Sequence, residues 1–541
     1  MKEIVTDSCS FEDLITAGDI IYVDKTAYVQ KMVKSRSRFF FISRPRRFGK
    51  SLMCSTLDAL FSGKKGLFKD LYIGKTDYDF RTYPVLRFDF SAMESTSYEN
   101  FLSAFRLQLK DVAAKQGMTL QESSPAIMLT CLLMALDSPV IIIDEFDSPM
   151  IDAVAEGEQE LAERMRRDFN AFYKVIKSYT GKIRFLFMTG CTKLSGLSIF
   201  SAMNNLKDIS AEPEYAGMFG YTEEELLKCF SEHMEQKLGE GRYDSREAFL
   251  EALRTYYDGY RFSPYNELRV FNPVSIGSYF AGRVASFRNF WAGTGGLSTL
   301  SVMLAKSVNL LSIANERCRL AIEDLTLFDI SQIASKEVSD ASVEALLYYA
   351  GYLTIKGSYK TNIILDFPNT EVRTTFLSTL VQAYSRKREN PQAIVTDAVC
   401  AAESGDHGTL VSLLNRYFQI PSYEDLMWPD GKKEQLFRLI FKLFFGMLGL
   451  TVYTELPGGM GRIDAVMITE TDNYVFEFKV DGKSPDEAIE IIKRHYAWFF
   501  TTSPKPLHLI GLDFRTEERQ IVSYTHRLYG RDEEEIRTLQ A

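Results

Sequence analysis

The sequence predicts an α/β fold class spread over several domains, and three observations lead to this prediction. The first ~220 residues alternate short apolar runs with amphipathic stretches, which is typical of a sheet covered by helices. The pattern becomes mostly helical from about Tyr221, and the last part of the chain follows the order α-β-β-β-α-β. The length of 541 residues indicates three or four units, at ~100–200 residues per domain.

Four apolar runs in the N-terminal part are predicted as strands, at residues 38–43, 84–91, 139–144 and 183–190. Helical patterns separate these runs, for example at 97–116. Strands that alternate with helices are typical of an α/β unit with buried parallel strands. The N-terminal part is therefore predicted as an α/β domain.

The segment FFFISRPRRFGKSLM (39–53) contains the closing half of a phosphate-binding loop. Gly49, Lys50 and Ser51 follow a predicted strand and precede a helical pattern. In such a loop, backbone N–H groups surround phosphate oxygens at a helix N-terminus, the lysine reaches the terminal phosphates and the hydroxyl binds Mg²⁺. Arg44 stands five positions before Gly49, where the pattern has a glycine. The prediction is a site for ATP and Mg²⁺ with an altered entrance.

Polar residues at the ends of two later strands extend this site. The run PVIIIDEFD ends in Asp144, and Glu145 follows it. A carboxylate at the end of a buried parallel strand can bind the Mg²⁺, and the next acid can activate an attacking water. The alternative is that both acids only cap the strand. The run FLFMTGCT offers Thr189 or Thr192 to sense the terminal phosphate.

Six segments resemble, in order, the AAA-ATPase-like family of bacterial proteins: YVDKTAYVQKM, FISRPRRFGKSL, IIIDEFDSPM, FMTGCTKLS, IFSAMNNLKDIS and FGYTEEEL. The resemblance covers roughly residues 5–300, and the family has R-P-R-R-F-G-K-S/T in place of the glycine-first loop. It implies a P-loop NTPase domain whose nucleotide-binding residues are Arg44, Pro45, Arg46, Arg47, Phe48, Gly49, Lys50, Ser51 and Leu52. The three arginines are expected either to be solvated or to contact phosphates.

The middle of the chain is predicted as helical and then winged-helix-like. The segment 340–369 has a helical pattern, a break at Gly351 and two strands joined by a polar turn, although any helix followed by a hairpin would give the same signals. A charged segment that contains Pro391 indicates a domain junction at 385–395. The predicted divisions are a P-loop domain at 1–220, a helical lid-like region at 221–300, a winged-helix-like region at 301–385, and linker helices with a last domain at 386–541.

The last domain is predicted as helix 434–449, strands 451–455, 462–469 and 474–480, helix 484–500 and strand 506–514. Glu455 ends the first of these strands, Asp464 lies in the second, and Glu477 and Lys479 lie two apart in the third, so that they share a face. Converging carboxylates bind Mg²⁺, and the metal with the lysine can stabilise charge on an attacked phosphodiester. The alternative is an exposed meander with alternating charges.

The segments GRIDAV and VFEFKVDGKSPDEA resemble the PD-(D/E)XK nuclease-like domain over ~100 residues, which implies a restriction-endonuclease-like fold. The family often has glutamine where this chain has Ile491, and this leaves substrate positioning open. The two resemblances together imply ATP-dependent cleavage of DNA or RNA, by analogy in defence against foreign genetic elements. The alternative is a non-catalytic ATP-dependent switch, or a nucleic-acid-binding protein with an inert nuclease-like fold.

Composition argues against three classes of protein: those with a uniformly basic surface, membrane proteins, and secreted proteins held by disulfides. The net charge of -9 argues against a uniformly basic coat for nucleic acid but allows a local basic groove. The most apolar long segment, LFRLIFKLFFGMLGLTVY, is interrupted by Arg438 and Lys442, and no secretory signal is found, so no membrane segment is predicted. The seven cysteines are scattered without a C-x-x-C pair, which fits a reducing cytoplasm.

Two further expectations concern partners and histidines. AAA-type ATPases often complete their sites with an arginine from a neighbouring subunit, so a homo-oligomer is expected, with Arg261 as the candidate arginine. The five histidines are dispersed along the sequence. His233 and His407 lie alone in polar surroundings and are expected at the surface rather than at a metal.

Overall fold

The computed structural model describes residues 1–6, 10–192, 205–283, 286–291, 318–322, 340–383, 391–418, 441, 444, 451–458, 461–469, 471–480, 484–495, 505–515, 518, 520–529 and 535–540. The chain divides into two compact units. The first unit is Met1–Met303 with Arg317–Thr370, and the second is Leu304–Glu316 with Glu371–Ala541.

The first unit is built on a parallel sheet of β1 (Phe39–Ser43), β2 (Val85–Asp89), β3 (Val140–Asp144), β4 (Phe185–Gly190) and β5 (Leu206–Asp208). The strand order is β2-β3-β4-β1-β5, and all pairings are parallel. Every residue of β1, β3 and β4 is buried, as expected for parallel strands covered on both faces. The predicted α/β fold is confirmed, and β5 is an addition that no apolar run indicated.

The described part of this unit also contains the helices α1 (Phe11–Ala17), α2 (Thr26–Lys34), α3 (Lys50–Phe61), α4 (Tyr98–Lys115), α5 (Pro125–Ala135), α6 (Ser148–Ala155), α7 (Gln159–Ser178), α8 (Glu223–Cys229), α9 (Ser231–Leu238), α10 (Arg246–Tyr257) and α11 (Pro273–Ala281). Side-chain caps determine several starts. Ser97 accepts a hydrogen bond from the Asn100 backbone before α4, and Thr222 and Glu225 form a capping box at α8. No helix in the described part of the chain is both long and apolar enough to span a bilayer.

A small antiparallel sheet completes the first unit. Helix α12 (Asp340–Ala350) is followed by Gly351, whose φ of 86° lies in the left-handed region that glycine adopts readily. Strands β7 (Thr354–Tyr359) and β8 (Asn362–Asp366) then form a hairpin, as the sequence predicts. Strand β6 (Cys318–Ala321) pairs with β8, so the strand order is β6-β8-β7.

The second unit contains helices α13 (Thr370–Ala383), α14 (Pro391–Glu403), α15 (His407–Phe418) and α16 (Pro485–His495), and strands β9 (Thr451–Gly458), β10 (Gly461–Ile468), β11 (Asn473–Val480), β12 (Leu507–Arg515), β13 (Gln520–Tyr529) and β14 (Glu535–Gln540). The strand order is β14-β13-β12-β11-β10-β9, with only the β11–β12 pair parallel among these strands. The predicted helix 434–449 lies outside the described residues except for positions 441 and 444. The β-β-β-α-β order that follows it is present, with β13 and β14 added.

Candidate active sites

The loop between β1 and α3 contains two residues in the left-handed backbone region, immediately before a helix N-terminus. Gly49 precedes the first helical residue with a φ of 93°, and Arg47 has a φ of 69°. Helix α3 begins at Lys50, so its first N–H groups have no partner within the helix and face the loop. The altered entrance with Arg44 therefore still leads into a turn at a helix N-terminus.

Lys50 crosses this loop as a buried ammonium. Its Nζ donates to the carbonyl oxygens of Arg44 at 3.0 Å and Pro45 at 3.1 Å, and lies 3.4 Å from Oε1 of Glu145. Burial alone would lower the pKa of Lys50, but the Cys191 sulfur and the Glu145 carboxylate beside it raise the pKa above its ordinary value. The side chain is therefore charged, and its two carbonyl contacts are ones that phosphate oxygens can replace.

Asp144 lies fully buried at the end of β3. Its Oδ1 accepts a hydrogen bond from the Thr189 hydroxyl at 2.6 Å. Burial raises the pKa of Asp144, while hydrogen bonds from Thr189 and Ser51 act in the opposite direction. Its Oδ2 is buried and has no hydrogen-bond partner among the described residues. A buried carboxylate oxygen beside the Ser51 hydroxyl is a donor set that fits Mg²⁺.

Glu145 is partly exposed and lines the cavity over the loop, in contrast to the fully buried Asp144. Its φ is 48°, and its backbone N–H donates to the Thr189 hydroxyl at 3.1 Å. The side chain remains 19% exposed and lines the cavity described below. The left-handed backbone turn after β3 thus directs one acid inward and the next acid into the cavity.

The two threonines at the end of β4 lie behind these acids, which differs from the prediction that one of them senses phosphate. Thr189 is fully buried and its hydroxyl donates to Asp144. The Thr192 hydroxyl donates to Oδ2 of Asp147 at 2.7 Å, and Asp147 is itself fully buried. Both threonines orient carboxylates, because β4 lies next to β3 in the sheet and the strand ends meet at one edge.

A cavity of about 580 Å³ opens over the loop. This volume is within the range of ~300–1,000 Å³ that small-molecule sites in proteins occupy. Its lining includes most of the predicted nucleotide-binding segment and both cavity-facing acids: Arg46, Arg47, Phe48, Gly49, Lys50, Ser51, Leu52, Glu145 and Asp152. The structure therefore brings together the residues that the sequence predicted from two separate motifs.

Arg44 is the main correction to the predicted site, because its guanidinium is neither solvated nor on the cavity. It is 2% exposed, and its Nη1 donates to the carbonyl oxygens of Ser43 and Ser210, each at 2.8 Å. Its guanidinium carbon lies 4.2 Å from the centre of the Phe262 ring. Burial lowers the pKa of Arg44 to about 10. Arg44 thus anchors the entrance of the loop to later parts of the chain.

The rest of the loop is braced in the same way. The Phe48 ring packs edge-on against Tyr260 at 4.8 Å and Phe262 at 5.3 Å between ring centres. Pro45 packs against Gly351, where an added Cβ would lie 2.8 Å from the Pro45 Cβ. The Tyr260 hydroxyl donates to the Gly351 carbonyl at 3.2 Å. The turn at Gly351, between α12 and the β7–β8 hairpin, is therefore in direct contact with this loop within the first unit.

The other arginines that the sequence predicted for the ATP site, Arg46, Arg47 and Arg261, have two different environments. Arg46 and Arg47 line the cavity, and Nη2 of Arg46 lies 3.9 Å from Oδ1 of Asp152. Arg261 is 3% exposed, pairs with Glu267 at 2.8 Å and donates to carbonyl groups of its own loop. Because its guanidinium is occupied inside the subunit, the structure does not support Arg261 as an arginine offered to a neighbour.

The second candidate site is a row of acids across three strands of the second unit. The β9–β10 register places position 455 opposite Asp464, between the pairs Ile463–Leu456 and Ala465–Thr454. The β10–β11 register, continued by one residue from the pair Ala465–Phe476, places Asp464 opposite Glu477. The Glu455 side chain lies outside what the structure describes.

Asp464 and Glu477 are both buried, at 4% and 6% exposure. Oδ2 of Asp464 accepts the Phe478 backbone N–H at 2.7 Å. Oε1 of Glu477 accepts from Nζ of Lys479 at 2.9 Å. Opposed residues in an antiparallel pair share a face of the sheet, so two buried carboxylates and an ammonium occupy one face. Buried acids side by side fit a divalent cation, which neutralises their repulsion.

Sequence reasoning did not identify Asp513 as part of this region. In the parallel β11–β12 pair, Lys479 stands in register with Asp513, which is buried. The signal was available, since Asp513 is the one acid in the apolar strand segment LHLIGLDF. Ile491 lies in α16, and its side chain lies outside what the structure describes.

Two histidines expected at the surface are buried instead. His233 lies in α9 at 4% exposure, and His407 lies at the start of α15, also at 4% exposure. His407 is also not alone, because it lies beside His508 and His526. Tertiary packing joins residues here that are far apart in the sequence.

Comparison with known proteins agrees with both resemblances in the sequence. Residues 8–200 match the family model described as predicted AAA-ATPase, and residues 432–524 match that of the PD-(D/E)XK nuclease superfamily. A curated protein of Azotobacter chroococcum mcd 1, described as "Uncharacterized protein in vnfD 5'region", is 28% identical over 535 residues. The match covers 96% of this chain and 98% of that protein.

Proposed function

Since the chain carries an AAA-ATPase-like domain at residues 8–200 and a PD-(D/E)XK nuclease superfamily domain at residues 432–524, we propose that it hydrolyses ATP and couples this to metal-dependent cleavage of DNA or RNA. One observation carries the proposal: each domain places buried carboxylates beside a lysine. In the first domain these are Asp144 and Lys50, and in the second Glu477 and Lys479.

In the ATPase-like domain, Lys50 exchanges its two carbonyl contacts for terminal phosphate oxygens, and the first N–H groups of α3 bind the same phosphates. Asp144 and Ser51 hold Mg²⁺, which supplies charge neutralisation at the phosphates when bound. Glu145 lies in the cavity and accepts a proton from the attacking water. Thr189 holds the two acids in place through its hydroxyl.

In the nuclease-like domain, Asp464 and Glu477 would hold Mg²⁺, and the strand register puts position 455 in line to supply a third carboxylate. An ion held by these residues would activate water and stabilise negative charge on the phosphate. Lys479, held against Glu477, presents its ammonium to the developing negative charge of the phosphodiester. The sheet register supports this proposal, because it brings Asp464 and Glu477 opposite each other on one face of the sheet.

A second candidate function is favoured by Ile491, which stands where the family often has glutamine. The chain would then be an ATP-dependent switch or a nucleic-acid-binding protein with an inert nuclease-like fold. Under either function we place the protein in the bacterial cytoplasm, as a homo-oligomer, in defence against foreign genetic elements. The defence role rests on analogy of architecture.

The two functions are separated by one set of assays on the purified full chain. Phosphate release from ATP and nicking of a supercoiled plasmid and a structured RNA are measured with and without ATP and Mg²⁺. The proposed function requires both turnover and Mg²⁺-dependent nicking. Turnover without nicking of either substrate would favour the inert nuclease-like fold, and absence of both activities with retained ATP binding would favour the switch.

A further inference from the structure

Three buried histidines meet in the second unit, away from the acid row. His407 begins α15, His508 lies in β12 and His526 lies in β13. One ring nitrogen from each lies within 4.8 Å of the others, and all three side chains are buried. His508 stands in register with Tyr474 on β11, five residues before Lys479. At ~3.3 Å per residue, this is roughly 16 Å along the strand from the lysine.

One nitrogen–nitrogen distance within the cluster is close to that of a metal site, and two of its rings are in direct contact. Nδ1 of His508 lies 3.0 Å from Nε2 of His526. The rings of His407 and His526 are 3.7 Å apart between centres. Two nitrogens bound to a tetrahedral Zn²⁺ at ~2.0–2.1 Å are ~3.3 Å apart. The cluster therefore needs only small side-chain shifts to surround an ion.

A carboxylate outside the cluster orients one of the rings. Nε2 of His508 lies 3.1 Å from Oδ1 of Asp472. Asp472 is itself fixed, because its backbone N–H donates to the Thr469 hydroxyl at 3.0 Å and its carbonyl accepts from the Thr469 backbone at 3.0 Å. Metal-bound histidines commonly donate their second N–H to a carboxylate in this way. The contact with Asp472 places the proton on Nε2 of His508 and leaves the Nδ1 lone pair directed at the cluster, where it accepts the Nε2–H of His526. Ligation by Nε2 of His526 requires that proton to move to Nδ1 of the same ring, so that an ion replaces the hydrogen bond.

The ring of His508 also stacks on an aromatic ring of the neighbouring strand β11. Tyr474 stacks on it with ring centres 4.4 Å apart and an angle of 21° between the planes. The Tyr474 hydroxyl donates to the carbonyl of Ala402, at the end of α14, at 3.0 Å. The orientation of His508 is therefore set from two directions by residues that are not part of the cluster, as in a preformed ligand site.

We propose that His407, His508 and His526 bind one transition-metal ion, with Zn²⁺ as the ion that three neutral imidazoles and one solvent ligand suit best. The ion joins α15 to the neighbouring strands β12 and β13. Because this arrangement of ligands exists only in the folded unit, binding stabilises that unit. The site is separate from the Mg²⁺ site proposed on the acid row and does not depend on nuclease activity.

The test uses the full chain purified without a polyhistidine tag, stripped with a chelator and then titrated with Zn²⁺ or Co²⁺. We expect elemental mass spectrometry of the protein to find one tightly bound Zn²⁺ per chain. The visible absorption spectrum of the Co²⁺-loaded protein should be that of a tetrahedral ion with nitrogen ligands. His407→Ala and His526→Ala should lose the ion. Asp472→Asn should keep the ion but bind it ~10–100-fold more weakly, as loss of an outer carboxylate does.

Two controls address folding and the other metal site. His233→Gln changes a buried histidine outside the cluster and should retain one Zn²⁺. An Asp464→Ala/Glu477→Ala variant should also retain it, because these acids belong to the other site. If the unaltered chain binds no Zn²⁺ and gives no Co²⁺ spectrum, the proposal is overturned and the cluster is a hydrogen-bonded packing element. It is equally overturned if His407→Ala and His526→Ala bind the ion as tightly as His233→Gln.

Discussion

The two acid–lysine sites contain the same kinds of side chains but are assembled by different parts of the backbone. Lys50 starts a helix and Asp144 ends a parallel strand, so these residues meet at one edge of a sheet. Asp464 and Glu477 lie inside neighbouring antiparallel strands, where the register brings them together. The first site therefore depends on where elements begin and end, and the second depends on how strands are aligned.

The contacts of the two lysines show what this difference means. Lys50 donates to loop carbonyls, and a phosphate can take their place. Lys479 donates to Glu477, which is itself a proposed metal ligand. Under the proposed function the first lysine binds a ligand, whereas the second adds charge beside a metal. Substitutions at the first site should accordingly reduce ATP binding or hydrolysis, and substitutions at the second site should reduce nucleic-acid cleavage.

The largest expected effect is the loss of nicking without loss of ATP hydrolysis when an acid of the second site is replaced. Asp464→Ala and Glu477→Ala should each reduce nicking to background, because the loss of either buried carboxylate removes a proposed ligand of the Mg²⁺ that would activate water. ATP hydrolysis should stay at the level of the unaltered chain. Glu487→Ala, an exposed acid on α16, serves as the matched control and should nick normally. Nicking at the unaltered rate by the Asp464→Ala/Glu477→Ala double variant, in a preparation free of contaminating nuclease, would disprove the assignment.

The next effect separates binding from hydrolysis within the first site. Glu145→Gln keeps the shape of the side chain but removes the base, so ATP turnover should fall ~10²–10⁴-fold. ATP should still bind, since Lys50 and the helix N-terminus are unchanged. Calorimetry and phosphate release on the same sample give both quantities. Glu156→Gln, an exposed acid at the end of α6, is the control. Equal turnover in the Glu145→Gln variant and the unaltered chain would mean that another group is the base.

The two lysines are compared directly by replacing each with alanine. Lys50→Ala removes charge-assisted contacts to phosphate, and ATP affinity should fall by at least ~10–100-fold. Lys479→Ala should leave metal affinity within a few-fold but lose cleavage. Isothermal titration with ATP and with Mn²⁺ measures the two affinities. If Lys50→Ala binds ATP as tightly as the unaltered chain, the phosphate loop has been misassigned.

A smaller effect is expected where the turn at Gly351 contacts the loop between β1 and α3. At Gly351 an added Cβ meets Pro45 at 2.8 Å and the φ of 86° is unfavourable for alanine. Gly351→Ala should therefore displace the loop and weaken ATP binding several-fold. Gly357→Ala is the control, because its added Cβ meets only Ile364 at an ordinary 3.7 Å. Equal ATP affinity in the two variants would show that the contact does not shape the loop.

The smallest effect concerns the pH dependence of stability. Burial raises the pKa of Asp144 above its ordinary value of 3.8. The folded state then binds this proton more tightly than the unfolded state, so ionisation of Asp144 lowers the free energy of unfolding as the pH rises above that value. Asp144→Asn should raise the Tm of the metal-free protein at neutral pH and should not raise it in strong acid. It should also weaken the Mg²⁺ dependence of ATP binding.

The control for this measurement is Asp70→Asn, which changes an exposed aspartate. Its Tm should follow that of the unaltered chain at every pH. An Asp144→Asn variant with the same Tm as the unaltered chain at neutral pH, or with an equal increase at neutral and acidic pH, would contradict a buried ionised carboxylate at this position.

Much of the fold around the first site was predictable because its signals are local. The strands β1 to β4 lie within two residues of the predicted runs. The β5 strand was missed because its sequence, LKD, is only three residues long and two of the three are charged, so that it forms no apolar run. In the second unit β13 was also missed, although its sequence QIVSYTHRLY alternates and follows β12 as an antiparallel partner. Short or terminal strands depend on a neighbour's edge more than on their own pattern.

The sequence by itself determined the chemical types at both candidate sites and their local settings. Gly49-Lys50-Ser51 between an apolar strand and a helix, and the acids within alternating strands, can be identified because period and turn chemistry act over a few residues. Tertiary structure alone decided that Arg44 is buried against Ser210 and Phe262. It also decided that three dispersed histidines meet: His407, His508 and His526. The physical reason is that these contacts join positions far apart in the chain, and no local periodicity records which distant surface a side chain will meet.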